Sequence, residues 1–232
     1  MNNKKNILLG IIALLTYFMF SLFSSTIVSF LPIDINNLTT NGKFVVNILY
    51  EAVILFIIIL ILKETVINDF NIYKKNIKAY YTEYIKYWFL ALGLMYVSNF
   101  IILFFNNDIA NNEQAVRQLF DSNPFLTFIL ASLLAPLLEE LIFRLSIYKI
   151  IGKNKYLFIA ISGLIFGLMH VLGNSNTLVE WLYIIPYSIP GWVFAYTLVK
   201  SNNIFVPISL HLTHNTFALI LQFLAALTSL II

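Results

Sequence analysis

Long apolar runs, broken by short polar stretches, occupy most of this chain. A helix crossing a bilayer needs about 20 predominantly apolar residues, roughly 17–25. On that measure the pattern predicts seven spans, at about 6–31, 44–62, 86–105, 125–148, 156–172, 178–199 and 204–230. The fifth is short, and the last is long enough to tilt. The first run exceeds the roughly 7–15 apolar residues of a secretory signal, so it reads as an uncleaved first helix. Two polar segments have a character of their own. The stretch 63–86 mixes Lys with Tyr73, Tyr80, Tyr81 and Tyr84 and reads as a segment lying on the membrane surface. In 106–124 a short amphipathic helix is expected from Gln114 to Phe120.

Charge placement orients the spans. With the N-terminus on the cytoplasmic side, the inner loops hold Lys4, Lys5, Lys63, Lys74, Lys75, Lys78, Lys86, Lys149, Lys153, Lys155 and Lys200. The outer loops hold Lys43 and Arg117, and Arg144 falls within a span. That bias is the positive-inside signature. The expected fold class is therefore an all-α, polytopic transmembrane helix bundle of about seven spans, N-terminus cytoplasmic, with residues 1–232 as a single membrane domain.

Composition agrees. The 232 residues are 60% hydrophobic and 11% charged, against about 25% charged in soluble domains. With no basic run, a nucleic-acid partner is not expected. With no cysteine, disulfides, thiolate metal sites and cysteine catalysis are excluded. Richness in Asn, Ile, Lys, Phe and Tyr hints at an AT-rich genome and a bacterial cell membrane.

The informative residues are the polar ones inside the spans. Glu139, Glu140 and Arg144 lie in the apolar stretch from Phe125 to Ile150. Each charged group there costs roughly 2.5–3.5 kcal/mol at a helix centre, so such a cluster reads as functional by default. Glu140 and Arg144 are four residues apart, share a helical face and can pair. Glu139 points about 100° away and can face a cavity, as a general base must. Pro136 removes a helical hydrogen bond and can open space beside Glu139. A second motif, Phe166-Gly-Leu-Met-His170, follows small residues Ser162 and Gly163 that let helices approach closely. A third, His211-Leu-Thr-His-Asn215, puts two donors on one face, which suits an oxyanion hole. His214 points elsewhere and reads as structural. Glu51 is another buried acid, expected to line the cavity or to pair with Arg144 or a histidine.

Together, and in this order, the motifs resemble those of the CAAX prenyl protease and bacteriocin-processing (CPBP, or Abi) family of intramembrane proteases. The resemblance covers about 124–220, the expected catalytic core. One departure is Leu145, where many members have Gly. The N-terminal 120 residues resemble the family only in hydropathy. The resemblance implies hydrolysis of a peptide bond in a membrane-associated peptide or protein. In that scheme Glu139 activates water, His170 holds it, and His211 and Asn215 stabilise the oxyanion. Glu140, Arg144 and Phe166 support the site. A catalytic zinc held by Glu139, His170 and His211 is the open alternative to a metal-free glutamate mechanism. The site is expected near mid-membrane, about 15 Å from Lys149 at about 1.5 Å per residue, and open to the inner face.

Two other classes compete. A transporter can use Glu139, Glu140 and His170 as a proton relay, although no internal repeat of the kind common in carriers is visible. A catalytically silent immunity or scaffold protein would keep the fold without hydrolysis.

Overall fold

The computed structural model describes residues 3–30, 32–105, 108–173, 175 and 177–229. Positions 31 and 230, where the first and last expected spans end, and 106–107 of the expected outer loop lie outside the described residues. Helix α1 (Asn3–Leu22) is followed by the short α2 (Ser24–Ser29). Two long helices come next, α3 (Thr40–Tyr73) and α4 (Ile77–Leu103). After them come α5 (Asn111–Ser122), α6 (Pro124–Ile151) and α7 (Lys155–Val171). The last two are α8 (Ile184–Ser201) and α9 (Phe205–Ser229). The chain forms the all-α membrane bundle that its hydropathy implies, with no strand among the described residues. Among the described residues six helical segments are long and apolar enough to cross a membrane, and α7, at 17 residues, is a shorter apolar helix. At about 1.5 Å per residue α7 still extends about 25 Å. The protein is a multi-pass integral membrane protein.

Polar contacts show that the long helices run between two common ends. At one end Lys5 pairs with Glu64 at 2.7 Å. There Lys149 Nζ also donates to Thr65 Oγ1 at 2.6 Å. Lys86 and Lys200 lie over Tyr87 and Tyr196, whose rings touch each other. At the other end Asn123 meets Asn41 at 3.1 Å, and Asn111 meets Glu180 at 3.0 Å.

The expected surface segment 63–86 is not there. Instead α3 continues to Tyr73, turns within Lys74–Asn76, and α4 starts at Ile77. The reason is local and tertiary together. No Gly or Pro interrupts residues 44–92. The buried stripe Ile54, Ile58, Leu62 also carries on through Asp69 and Tyr73 at helical spacing. Tyr73 stacks on Tyr80 and packs on Phe205, holding the turn against α9.

Three contacts place the helices that matter for the polar residues. Helices α7 and α8 approach through small residues. A Cβ on Gly163 would lie 2.0 Å from Trp192, and one on Gly167 2.1 Å from Ser188 Oγ. Ser162 Oγ donates to the Phe143 carbonyl at 2.5 Å, tying α7 to α6. The start of α9 is clamped by α3: Asp69 Oδ2 accepts from Ile204 N at 3.0 Å, and the Asp69 carbonyl accepts from Asn203 Nδ2 at 2.8 Å. The turn before it needs Asn202 at φ 49°, a left-handed conformation that Asn tolerates better than most side chains.

Candidate active site

Helix α6 is not a regular α-helix. Its residues Phe128–Leu134 and Glu140–Ser146 are π-helical, separated by Ala135–Glu139. Such wide turns are rare and concentrate at functional sites. Pro136 helps explain the first. In π register the carbonyl of residue i pairs with the N–H of residue i+5, and the residue five beyond Ala131 is Pro136, which has no N–H. The Ala131 carbonyl takes its hydrogen bond from another helix: Asn215 Nδ2 donates to it at 2.7 Å.

The second π segment carries Glu140 and Arg144. Both side chains are fully buried, with Arg144 Nη2 3.1 Å from Glu140 Oε1. The guanidinium also lies 4.4 Å from the centre of the Phe166 ring, a cation–π contact that strengthens when desolvated. Glu140 serves a second partner, since its Oε1 lies 2.9 Å from His211 Nδ1. With that nitrogen donating to the carboxylate, the opposite nitrogen of His211 points into the site. It lies 3.7 Å from Glu139 Oε2. His211 thus bridges the two adjacent glutamates.

His170 joins from α7. Its Nδ1 lies 2.8 Å from its own helix's Phe166 carbonyl, and a proton there leaves Nε2 as an acceptor. Its ring stacks on Tyr187 at 4.7 Å and touches Phe166 at 4.4 Å. Phe166 also meets the His211 ring at 5.6 Å. One phenylalanine therefore backs both imidazoles and the guanidinium. Glu139 is half-buried, with 21% of its side chain exposed, while Glu140 has none. His170 and Glu139 lie within electrostatic reach of each other.

The structure thus gathers Glu139, Glu140, Arg144, Phe166, His170 and His211. It places Asn215 beside Ala131, one helical turn beyond His211. Glu51 faces the same interior from α3. It lies within electrostatic reach of Glu139 and Tyr17, rather than at Arg144 or a histidine. His214 Nδ1 is buried, with no hydrogen-bond partner among the described residues.

Two residues were not singled out by the sequence reading. Tyr187 covers one face of His170. Asp69 fixes the start of the helix that carries His211 and Asn215. A signal for Asp69 was present: it is an acid on the apolar stripe of α3. Tyr187 has no such signal, because an aromatic residue in an apolar span is ordinary.

The space beside His170 is small, about 10 Å³, room for about one water. Its lining includes Asn111, Asn112, Glu180 and Tyr187, so it lies toward the end opposite the lysines. Helix α7 starts at the lysine end with Lys155 and brings His170 to its far end.

A zinc held by Glu139, His170 and His211 was an open alternative. Among the described residues no three His, Asp or Glu side chains converge closely enough to hold a metal ion.

Residues 121–217 match the family model described as "Type II CAAX prenyl endopeptidase Rce1-like". The family resemblance read from the three motifs holds over that stretch. Two curated bacterial proteins are similar. The "Putative membrane peptidase YdiL" of Bacillus subtilis is 33% identical over 115 residues, covering 49% of this chain and 43% of that protein. The "UPF0177 protein YvdC" of Lactococcus lactis is 30% identical over 112 residues, covering 48% of this chain and 41% of that protein. The chain therefore matches less than half the length of each relative. No solved structure matches it.

Proposed function

We propose that this chain, whose residues 121–217 are Rce1-like, is an intramembrane endopeptidase that cleaves a membrane-associated peptide or protein. The observation that carries the reading is the placement of the half-buried Glu139 carboxylate against His211, 3.7 Å away, with His170 on the same aromatic wall. Glu139 is the more exposed of the two adjacent glutamates, and the Arg144 guanidinium pairs with Glu140 instead. His170, with Nδ1 tied to the backbone, offers Nε2 to accept a hydrogen bond from water. Glu139 takes that water's proton as the oxygen attacks the scissile carbonyl, then passes the proton to the leaving amine nitrogen.

The oxyanion that forms needs donors. Asn215 has two amide hydrogens. One goes to the Ala131 carbonyl, which locks the side chain and leaves the second for the oxyanion. His211 donates from Nε2 only if it also keeps the proton on Nδ1. The carboxylates at 2.9 and 3.7 Å are the charges an imidazolium would need. Glu140 and Arg144 act on substrate only through His211 and the helix, so they are positioning residues.

The test uses purified wild type and Glu139→Gln on a broad peptide panel, with and without chelator. Cleavage by wild type, insensitive to chelator and lowered about 10²–10⁴-fold in Glu139→Gln, is the expected result. No cleavage by wild type, or equal cleavage by the variant, overturns the reading. Loss with chelator restored by zinc replaces the water-activation step with a metal-dependent one. Proton flux in liposomes that needs Glu139, without cleavage, makes the protein a transporter.

A further inference from the structure

A second cavity, of about 500 Å³, opens at the lysine-rich end between α1, α3, α6 and α8. Its lining includes Asn6, Thr65, Lys149, Lys153 and Asn202, over apolar walls. Glu139 does not line it. The α6 residue of the lining nearest to Glu139 in sequence is Leu145, six positions on, followed by Tyr148, Lys149 and Ile150. This space is therefore distinct from the proposed reaction site, and nothing in the peptidase reading uses it.

The polar lining is rich in donors. Lys149 Nζ is held by Thr65 Oγ1 at 2.6 Å and by Asn6 Oδ1 at 3.4 Å. Those contacts use acceptors, so the ammonium hydrogens not used there, the Thr65 hydroxyl proton and the Asn6 amide hydrogens remain to face the cavity. Asn202 adds another amide. Lys153 is exposed at the rim and has no ion pair among the described residues. One acid lines the same space, Asp69. Its Oδ2 is taken by the Ile204 N–H at the start of α9, where the helix dipole offsets a negative charge. Its Oδ1 lies 3.4 Å from Asn68 Nδ2. The neighbouring Lys5 is already paired with Glu64. The two lysines thus leave the cavity cationic.

Below the polar rim the walls are apolar. Leu145 and Leu198 are buried, and Ile7, Tyr148 and Ile150 complete them. A basic rim over an apolar floor, at the end of a membrane bundle, matches an amphiphile with an anionic head. Basic pockets between spanning helices at this depth bind anionic headgroups. We propose that this cavity binds the phosphate-bearing headgroup of an anionic membrane lipid, with Lys149 and Lys153 on the phosphate and the glycerol region against Leu145, Leu198 and Tyr148.

The 232-residue chain in detergent would be incubated with phosphatidylglycerol, phosphatidylcholine or inorganic phosphate, and retained ligand read by native mass spectrometry. Phosphatidylglycerol should be retained at least about fivefold better than phosphatidylcholine. Lys153→Gln, an exposed position whose loss does not threaten folding, should lower that retention about fivefold. Lys78→Gln, an exposed lysine outside the cavity lining, should leave it unchanged. Equal retention of the two lipids overturns the proposal, and so does an equal loss in Lys78→Gln, which would mean diffuse surface charge. Binding of inorganic phosphate with no lipid retained makes the ligand a soluble anion and also overturns it. None of these readings depends on peptide cleavage.

Discussion

Glu140 is the residue on which the site's geometry turns, because one of its oxygens serves both Arg144 and His211. Removing a partner from a buried ion pair leaves an uncompensated charge, at a cost of about 3–5 kcal/mol. Glu140→Ala should therefore lower the melting temperature in detergent markedly and abolish cleavage. The double variant Glu140→Leu with Arg144→Leu removes both charges, and buried pairs can be replaced by apolar residues at little loss. It should recover most of the stability. Cleavage should stay absent, because His211 Nδ1 has lost the carboxylate that orients it. Recovery of activity in the double variant would show that Glu140 is needed for folding alone. The i, i+4 spacing made the Glu140–Arg144 pair legible in the sequence. The His211 contact was not legible, because it joins residues 71 positions apart and depends on how α9 docks against α6.

At the scale of the element, α6 and α7 each hold one group of the proposed site in place, Asn215 and His170. In α6 it is the π turn that leaves the Ala131 carbonyl for Asn215. Pro136→Ala restores an N–H five residues beyond Ala131, so the carbonyl gains a main-chain partner and Asn215 loses its anchor. Cleavage should fall, by up to about 100-fold for a displacement near 1 Å, while the protein stays folded. Unchanged kinetics would show that the Asn215 contact does not matter. In α7 the hold is close packing. A Cβ at Gly167 would lie 2.6 Å from the Ile184 carbonyl, backbone that cannot rotate away. Gly167→Ala should destabilise by about 1–3 kcal/mol and lower activity by shifting His170. Gly93→Ala, with nothing within 4 Å of the new Cβ, should be neutral or stabilise by up to about 1 kcal/mol. The sequence marked Pro136 as a helix opener and Ser162 and Gly163 as packing points. It did not show the π register. Counting at 3.6 residues per turn spaces Glu139 and Glu140 correctly but says nothing of where a wide turn inserts. The course of 63–86 is not legible for the converse reason. Its Lys and Tyr residues suit an interface, and only the tertiary burial of Asp69 and Tyr73 shows that the helices run on.

At the scale of the whole molecule, the arrangement has a sidedness that can be tested without any substrate. The lysines of Lys5, Lys149, Lys153, Lys86 and Lys200 gather at one end, while Asn111, Asn123 and Glu180 lie at the other. Among the described residues, six long spans and the shorter α7 put the start of α1 and the end of α9 on opposite faces. The positive-inside bias then assigns the lysine end to the cytoplasm, places the His170 cavity nearer the outer face, and places the lysine-lined cavity at the inner one. The chain has no cysteine, so any introduced cysteine is a unique reporter. Lys75→Cys lies in the α3–α4 turn, and Gln118→Cys on the exposed side of α5. In intact cells a membrane-impermeant maleimide should label Gln118→Cys, and should reach Lys75→Cys only after lysis. The reverse pattern would invert the protein and put the lysine cavity outside. Labelling of both in intact cells would mean that the two ends do not lie on opposite faces. The order of labelling matters for chemistry as well as topology. With His170 toward the outer half, a substrate entering from the cytoplasmic side has to pass the level of Arg144 and Phe166 before it meets Glu139.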